Sequence, residues 1–155
     1  MLKKRNILLG FLCFVVLFML TGCGNVTVKN TSEFKSLSER NKYTTSDVTS
    51  QYSANQNVKE ATVAKISQDS QIEFFVFADE VSARQMFSTN KVKLESEKSG
   101  FSNQSQSNAF NYSTYSLTYS NKYMYLCRVD NTLLFINTLT EFKDNANKFI
   151  EEFGY

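Results

Sequence analysis

The pattern of apolar residues in the last third of the chain constrains the fold more than any other feature of the sequence. Residues 114–119 alternate between hydroxyl side chains and large apolar or aromatic ones, which is the period of a β-strand with one buried face. Further strands are predicted at residues 123–129 and 133–138, joined by a tight turn. Both carry apolar residues on each face near their middles, so we expect them at the centre of a sheet.

The end of the chain predicts an amphipathic helix that packs on this sheet. Its large residues recur at helical spacing, and Thr140 and Gly154 suit its N-cap and C-cap. The opposite face, which includes Lys148, is charged and is expected to be in water. The residues on the predicted buried face are Phe142, Ala146, Phe149, Ile150 and Phe153.

Three earlier segments have weaker patterns. Thr31 or Ser32 can cap a short first helix, because both hydroxyls can accept a hydrogen bond from the first turn. Residues 43–57 are polar and are expected to be extended. Residues 101–108 predict a loop, because most of them are Ser, Asn or Gln and have little to bury.

A hairpin and a long helix complete the predicted order. Strands are predicted at residues 61–66 and 71–77, and Asp79 can cap a helix that runs to about residue 97. The order is α-ββ-α-βββ-α, and residues 31–155 are long enough for one domain with one core. We therefore predict a single two-layer α+β domain, in which helices cover one face of an antiparallel sheet of about five strands.

The N-terminus has the three parts of an export signal. Lys3, Lys4 and Arg5 precede an apolar stretch at residues 7–20, which is shorter than the ~20 residues that a membrane-spanning helix needs. Small residues and Cys23 follow this stretch.

Residues 17–23, Leu-Phe-Met-Leu-Thr-Gly-Cys, resemble the lipobox of bacterial lipoproteins. That resemblance implies a signal peptide at residues 1–22, cleavage before Cys23 and acylation of its sulfur. Residues 23–30 would then be the lipidated cysteine and a polar tether. The expected location is the outer face of the cell membrane, with the lipid anchor as the membrane partner.

The charge of the chain after the signal excludes one class of partner. Of the 17 Lys and Arg residues three lie in the signal, whereas none of the 15 Asp and Glu residues does, so the remainder carries 14 positive and 15 negative charges. No basic patch for nucleic acid is therefore expected.

The residue types limit the chemistry that is expected. The chain has no histidine, and Cys127 is the one cysteine outside the signal and the lipobox, so a Cys/His pair cannot form. Cys127 lies in a predicted central strand and is expected to be core. The acids fall at predicted turns and caps. We predict no catalytic residue, no metal site and no cofactor.

Five tyrosines between residues 112 and 125 are either core or a surface that stacks on sugars or a peptide. Tyr115, Leu117 and Tyr119 share one side of their strand, which we expect to face the helices. A binding surface would then use the Thr and Ser side, and we name Phe101 and Tyr112 as its candidate ligand contacts.

The chain is also similar to small uncharacterised lipoproteins of low-GC Gram-positive bacteria, through residues 128–133 and 149–155. That resemblance implies a location and brings no catalytic residues. We predict a binding or interaction module with a cell-wall or protein partner. The alternatives are a cell-wall hydrolase or transferase with carboxylate or Ser/Lys chemistry, and a structural partner of an envelope complex.

Overall fold

A computed structural model describes residues 25–52, 54, 57–98 and 102–155. The predicted signal peptide and Cys23 lie outside these residues. The described part of the chain is an α+β fold with one antiparallel sheet of seven strands and three α-helices. The helices are α1 (Thr31–Arg40), α2 (Glu80–Glu97) and α3 (Lys143–Phe153), and the strands are β1 (Thr44–Asp47), β2 (Val58–Ser67), β3 (Ser70–Phe77), β4 (Ser102–Asn108), β5 (Tyr112–Tyr119), β6 (Lys122–Val129) and β7 (Thr132–Leu139).

The strand order across the sheet is β1-β2-β3-β7-β6-β5-β4. β7 is the middle strand and β6 lies beside it, so the prediction that the last two strands are central is confirmed. The prediction of about five strands is wrong, because β1 and β4 add one strand to each edge. The order of elements differs from the predicted one at these two strands.

The strand β4 occupies residues that the sequence predicted as a loop. Its register with β5 runs from Ser102 opposite Tyr119 to Asn108 opposite Ser113. Apart from Ser102, which is half-buried, its side chains are exposed. An edge strand is held by backbone hydrogen bonds on one side, so it needs no apolar pattern of its own.

Helices pack on both faces of the sheet, so the prediction of helices on one face is wrong. On one face α1 and α3 form the first core with β3, where the Phe34 ring lies 5.4 Å from Phe74 and 5.8 Å from Phe149. On the other face α2 forms the second core, in which Phe87 and Leu94 are buried with residues of β5, β6 and β7. Because β6 and β7 are apolar on both faces, helices must pack on each face to shield these residues from water.

The helix ends show which capping predictions hold. Asp79 caps α2 as predicted, accepting from the Ser82 N–H at 2.8 Å. α1 is capped by Asn30 rather than by Thr31 or Ser32. The Asn30 Oδ1 accepts from the Glu33 N–H and the Glu33 carboxylate accepts from the Asn30 N–H, which together form a capping box.

The last helix begins later than predicted. Thr140 starts a 3₁₀ turn, Thr140–Phe142, and α3 follows at Lys143 with no side-chain cap. Gly154 ends α3 as predicted, with a φ of 81° that favours glycine.

The segment before α1 is held on the domain. The Val26 N–H donates to Asn111 Oδ1 at 3.2 Å, and the Asn111 amide donates back to the Val26 carbonyl at 2.8 Å. The Lys29 N–H donates to the Tyr155 hydroxyl at 2.9 Å, and the Val26 side chain packs against the first core. Part of the predicted tether is therefore docked.

Candidate functional site

A buried arginine near the end of β6 is the most unusual polar residue of the fold. Arg128 is 1% exposed, and its neighbours on the same face of the strand belong to the second core. Its Nη1 donates to Glu80 Oε1 at 2.9 Å and to the Asp130 carbonyl at 3.3 Å, and its Nη2 donates to Ser113 Oγ at 3.4 Å. A buried charge is stable only with such partners.

Glu80 serves two arginines at once. Arg84 donates to the same Oε1 from Nη2 at 2.6 Å and from Nε at 3.1 Å. The Arg84 hydrogen bond, together with the charges of Arg84 and Arg128, lowers the pKa of Glu80. Burial, and then the nearby charge of Arg84, lowers the pKa of Arg128. Glu80 is therefore shared by two guanidinium groups, and the charge of Asp130 also acts on Arg128.

Arg128 and Arg84 line a cavity of about 240 Å³ between α2 and the β4–β5 hairpin. This volume suits one small group rather than a whole drug-sized ligand, which needs roughly 300–1,000 Å³. We call this cavity the basic pocket. Its lining residues are Arg84, Phe87, Ser88, Lys91, Gln106, Asn108, Ser113 and Arg128.

A third cation completes the basic pocket. Lys91 Nζ lies 5.5 Å from the centre of the Tyr115 ring and 3.6 Å from the Glu95 carboxylate. Arg84, Ser88 and Lys91 stand four and three residues apart on α2 and therefore share one face of that helix. Guanidinium, ammonium, amide and hydroxyl donors in one small cavity are the groups that bind a carboxylate or a phosphate.

Tyr112, one of the two predicted ligand contacts, does not form part of this pocket. Phe101 lies outside the described residues. Tyr112 is half-buried, stands opposite Val129 and packs against the first core, on the other face of the sheet from Arg128. The candidate site is thus on the face that the sequence reasoning assigned to packing.

The tyrosines divide between the two faces and are largely core. Tyr115 is 2% exposed in the second core, as expected for the side that faces the helices, and Tyr123 is 5% exposed in the first core. Tyr112 and Tyr125 pack against the first core and Tyr119 packs against the second. This arrangement supports the packing interpretation of the cluster.

A second cavity, of about 310 Å³, lies between α1 and α3 and includes two acids. Glu33 caps α1 and lies 3.2 Å from the Lys29 ammonium, and the hydrogen bond from the Asn30 backbone lowers its pKa. Glu152 lies 3.7 Å from Lys148. These contacts give both carboxylates cap and ion-pair roles. Within the described residues no group of three His, Cys, Asp or Glu side chains could hold a metal.

Sequence reasoning missed the basic pocket. The one signal was Arg128 in an otherwise apolar strand, but its partner Glu80 is 48 residues away in the sequence. Comparison of the chain with protein families, curated proteins and solved structures finds no significant match. None of the helices in the described ranges has the length and hydropathy to cross a membrane.

Proposed function

We propose that this chain is a lipid-anchored extracytoplasmic lipoprotein whose domain binds a ligand through an anionic group. The observation that carries the proposal is the buried Arg128, which lines the basic pocket together with Arg84 and Lys91. The signal-like N-terminus supports the location, and Cys23 would carry the lipid. The anionic group is a carboxylate or a phosphate, presented by a cell-wall component or by a protein partner.

The energetic argument favours a ligand over a purely structural role. Burying the Arg128 guanidinium costs desolvation energy that an apolar side chain of similar volume would not, and the carboxylate that it hydrogen-bonds, Glu80, also binds Arg84. An incoming anion would give the two arginines a second hydrogen-bonded negative partner beyond Glu80. The cell-wall hydrolase or transferase and the structural envelope partner stay alternatives, and no contact described above favours either.

Binding of anions to variants of α2 tests the proposal. The acylated protein would be titrated with inorganic phosphate or with acetate, and the heat of binding would be measured by calorimetry. We expect saturable binding of at least one of these anions. Lys91→Gln should weaken that binding about tenfold, because it removes one charge-assisted contact worth roughly 1.5 kcal/mol.

Lys93→Gln is the matched control for this change. Lys93 lies on the same helix, is largely exposed and forms an equivalent ion pair, with its Nζ 4.0 Å from Glu97, compared with 3.6 Å between Lys91 and Glu95. Its substitution should leave the affinity unchanged. Equal effects of the two variants, or no saturable binding of either anion, would contradict the proposal.

A further inference from the structure

The exposed apolar side chains gather at one end of the fold. Among the described residues four large apolar side chains are exposed, and three of them are Val28 at 39%, Val81 at 74% and Phe110 at 90%. These three lie where α1 and α2 begin and where β4 turns into β5. The fourth, Val92, is near the far end of α2.

Hydrogen bonds join the segments that carry these side chains. Asn111, next to Phe110, makes both hydrogen bonds with the Val26 backbone, and its carbonyl accepts from the Asp130 N–H at 2.9 Å. The Asn131 carbonyl in turn accepts from the Phe77 N–H at 2.9 Å, just before α2. We call residues 26–29, 78–81, 109–111 and 130–131 the Val26 end.

The sequence places the predicted lipid next to the Val26 end. Only Gly24 and Asn25 separate Cys23 from the docked Val26. Three Cα–Cα steps of 3.8 Å span at most about 11 Å. An acylated Cys23 would therefore lie within about 11 Å of Val26, which would keep the Val26 end near the bilayer surface.

We propose that the Val26 end docks on the membrane that holds the lipid anchor, with Phe110 inserted at the bilayer interface. This inference rests on the acylation of Cys23 proposed above. An aromatic ring that is 90% exposed gains free energy when it leaves water for the interface. The charged residues of this end are Lys29, Asp79, Glu80 and Asp130, so acids outnumber the one base. Apolar contact rather than attraction to anionic lipid therefore drives the docking, which should depend little on anionic lipid.

A single tryptophan reports the docking directly, because the sequence contains none. We would place Phe110→Trp in the full acylated chain, reconstitute it in phosphatidylcholine vesicles with brominated acyl chains, and measure quenching of its fluorescence. Val92→Trp is the control, since Val92 is exposed on the same protein but lies away from the Val26 end. Val81→Trp is a second reporter, on another element of this end.

We expect the bromolipids to quench Phe110→Trp severalfold more than Val92→Trp, with Val81→Trp closer to the first. Acrylamide, which quenches tryptophan from the water, should quench Val92→Trp more than Phe110→Trp. One outcome would contradict the docking proposal alone. In that outcome acrylamide quenches Phe110→Trp and Val81→Trp as strongly as Val92→Trp, while mass spectrometry shows an acylated Cys23. An unmodified Cys23 would contradict both the proposed lipid anchor and the proposed docking of the Val26 end.

Discussion

The environment of the Cys127 side chain differs sharply from that of Arg128, the next residue in the sequence. It is 1% exposed in the first core, and burial raises the pKa of its thiol to about 12. Arg128 follows it directly, but successive residues of a strand point to opposite faces, so the cation lines the basic pocket instead. The expectation that Cys127 is core is confirmed.

We expect Cys127 to react with iodoacetamide only after denaturation. Burial keeps this thiol protonated at pH 8, and the thiolate is the reactive form. Labelling of native and denatured protein, followed by mass spectrometry, measures this. Cys127→Ser should lower stability by about 1–3 kcal/mol and leave anion binding unchanged. Rapid labelling of the native protein would instead indicate an exposed thiol.

The position of Arg128 shows why sequence reasoning cannot find every site. A charged residue in an apolar strand is visible in the sequence, but its meaning depends on what the opposite layer supplies. Here α2 supplies Glu80, Arg84 and Lys91, and β5 supplies Ser113. Only the packing of α2 on this face of the sheet brings these groups together.

At the scale of elements, α3 offers the sharpest test of packing. Phe149 is fully buried against Phe34 and Phe153, and Phe149→Ala should cost about 3–5 kcal/mol of unfolding free energy, because it leaves a cavity between α3 and the sheet. Chemical denaturation of the purified protein measures this loss.

Lys148→Ala is the comparison within the same helix. Lys148 is exposed and pairs with Glu152 at 3.7 Å, so its loss should cost less than about 0.5 kcal/mol. Similar losses from the two substitutions would show that the buried face of α3 is assigned incorrectly.

The elements also show which patterns are sufficient for prediction. The β6 and β7 strands were predictable because they are apolar on both faces, and the buried face of α3 was predictable because its large residues recur at helical spacing. The edge strand β4 was not, since Ser-Asn-Gln-Ser-Gln-Ser-Asn has no apolar alternation and is held by the backbone of β5. The apolar residues on both faces of β6 and β7 were used only to place these strands at the centre of the sheet, and the cover that the second face requires was missed.

For the whole molecule, the first expectation is acylation at Cys23. Mass spectrometry of the protein from its native membrane should find a mature chain that begins with a cysteine carrying at least two acyl chains. Two chains give stable anchoring where one binds only marginally, since each buried CH₂ contributes about 0.8 kcal/mol.

The matching variant is Cys23→Ala. It should leave an uncleaved precursor or release the protein from the membrane, whereas Cys127→Ser should keep it anchored. A mature chain that starts at another residue would contradict the lipoprotein assignment.

The docked segment before α1 also determines how far the folded domain could lie from an anchor at Cys23. The Val26 backbone is hydrogen-bonded to the Asn111 side chain. An anchor at Cys23 would therefore be connected to the folded domain by two residues, Gly24 and Asn25. With a connection this short, the proposed anchor would hold the basic pocket within the first few nanometres above the bilayer, where it would meet a ligand on the same surface at high effective concentration. Under the proposed function, a weak intrinsic affinity would then be sufficient for capture at the membrane, and targets in the outer cell wall would be out of reach.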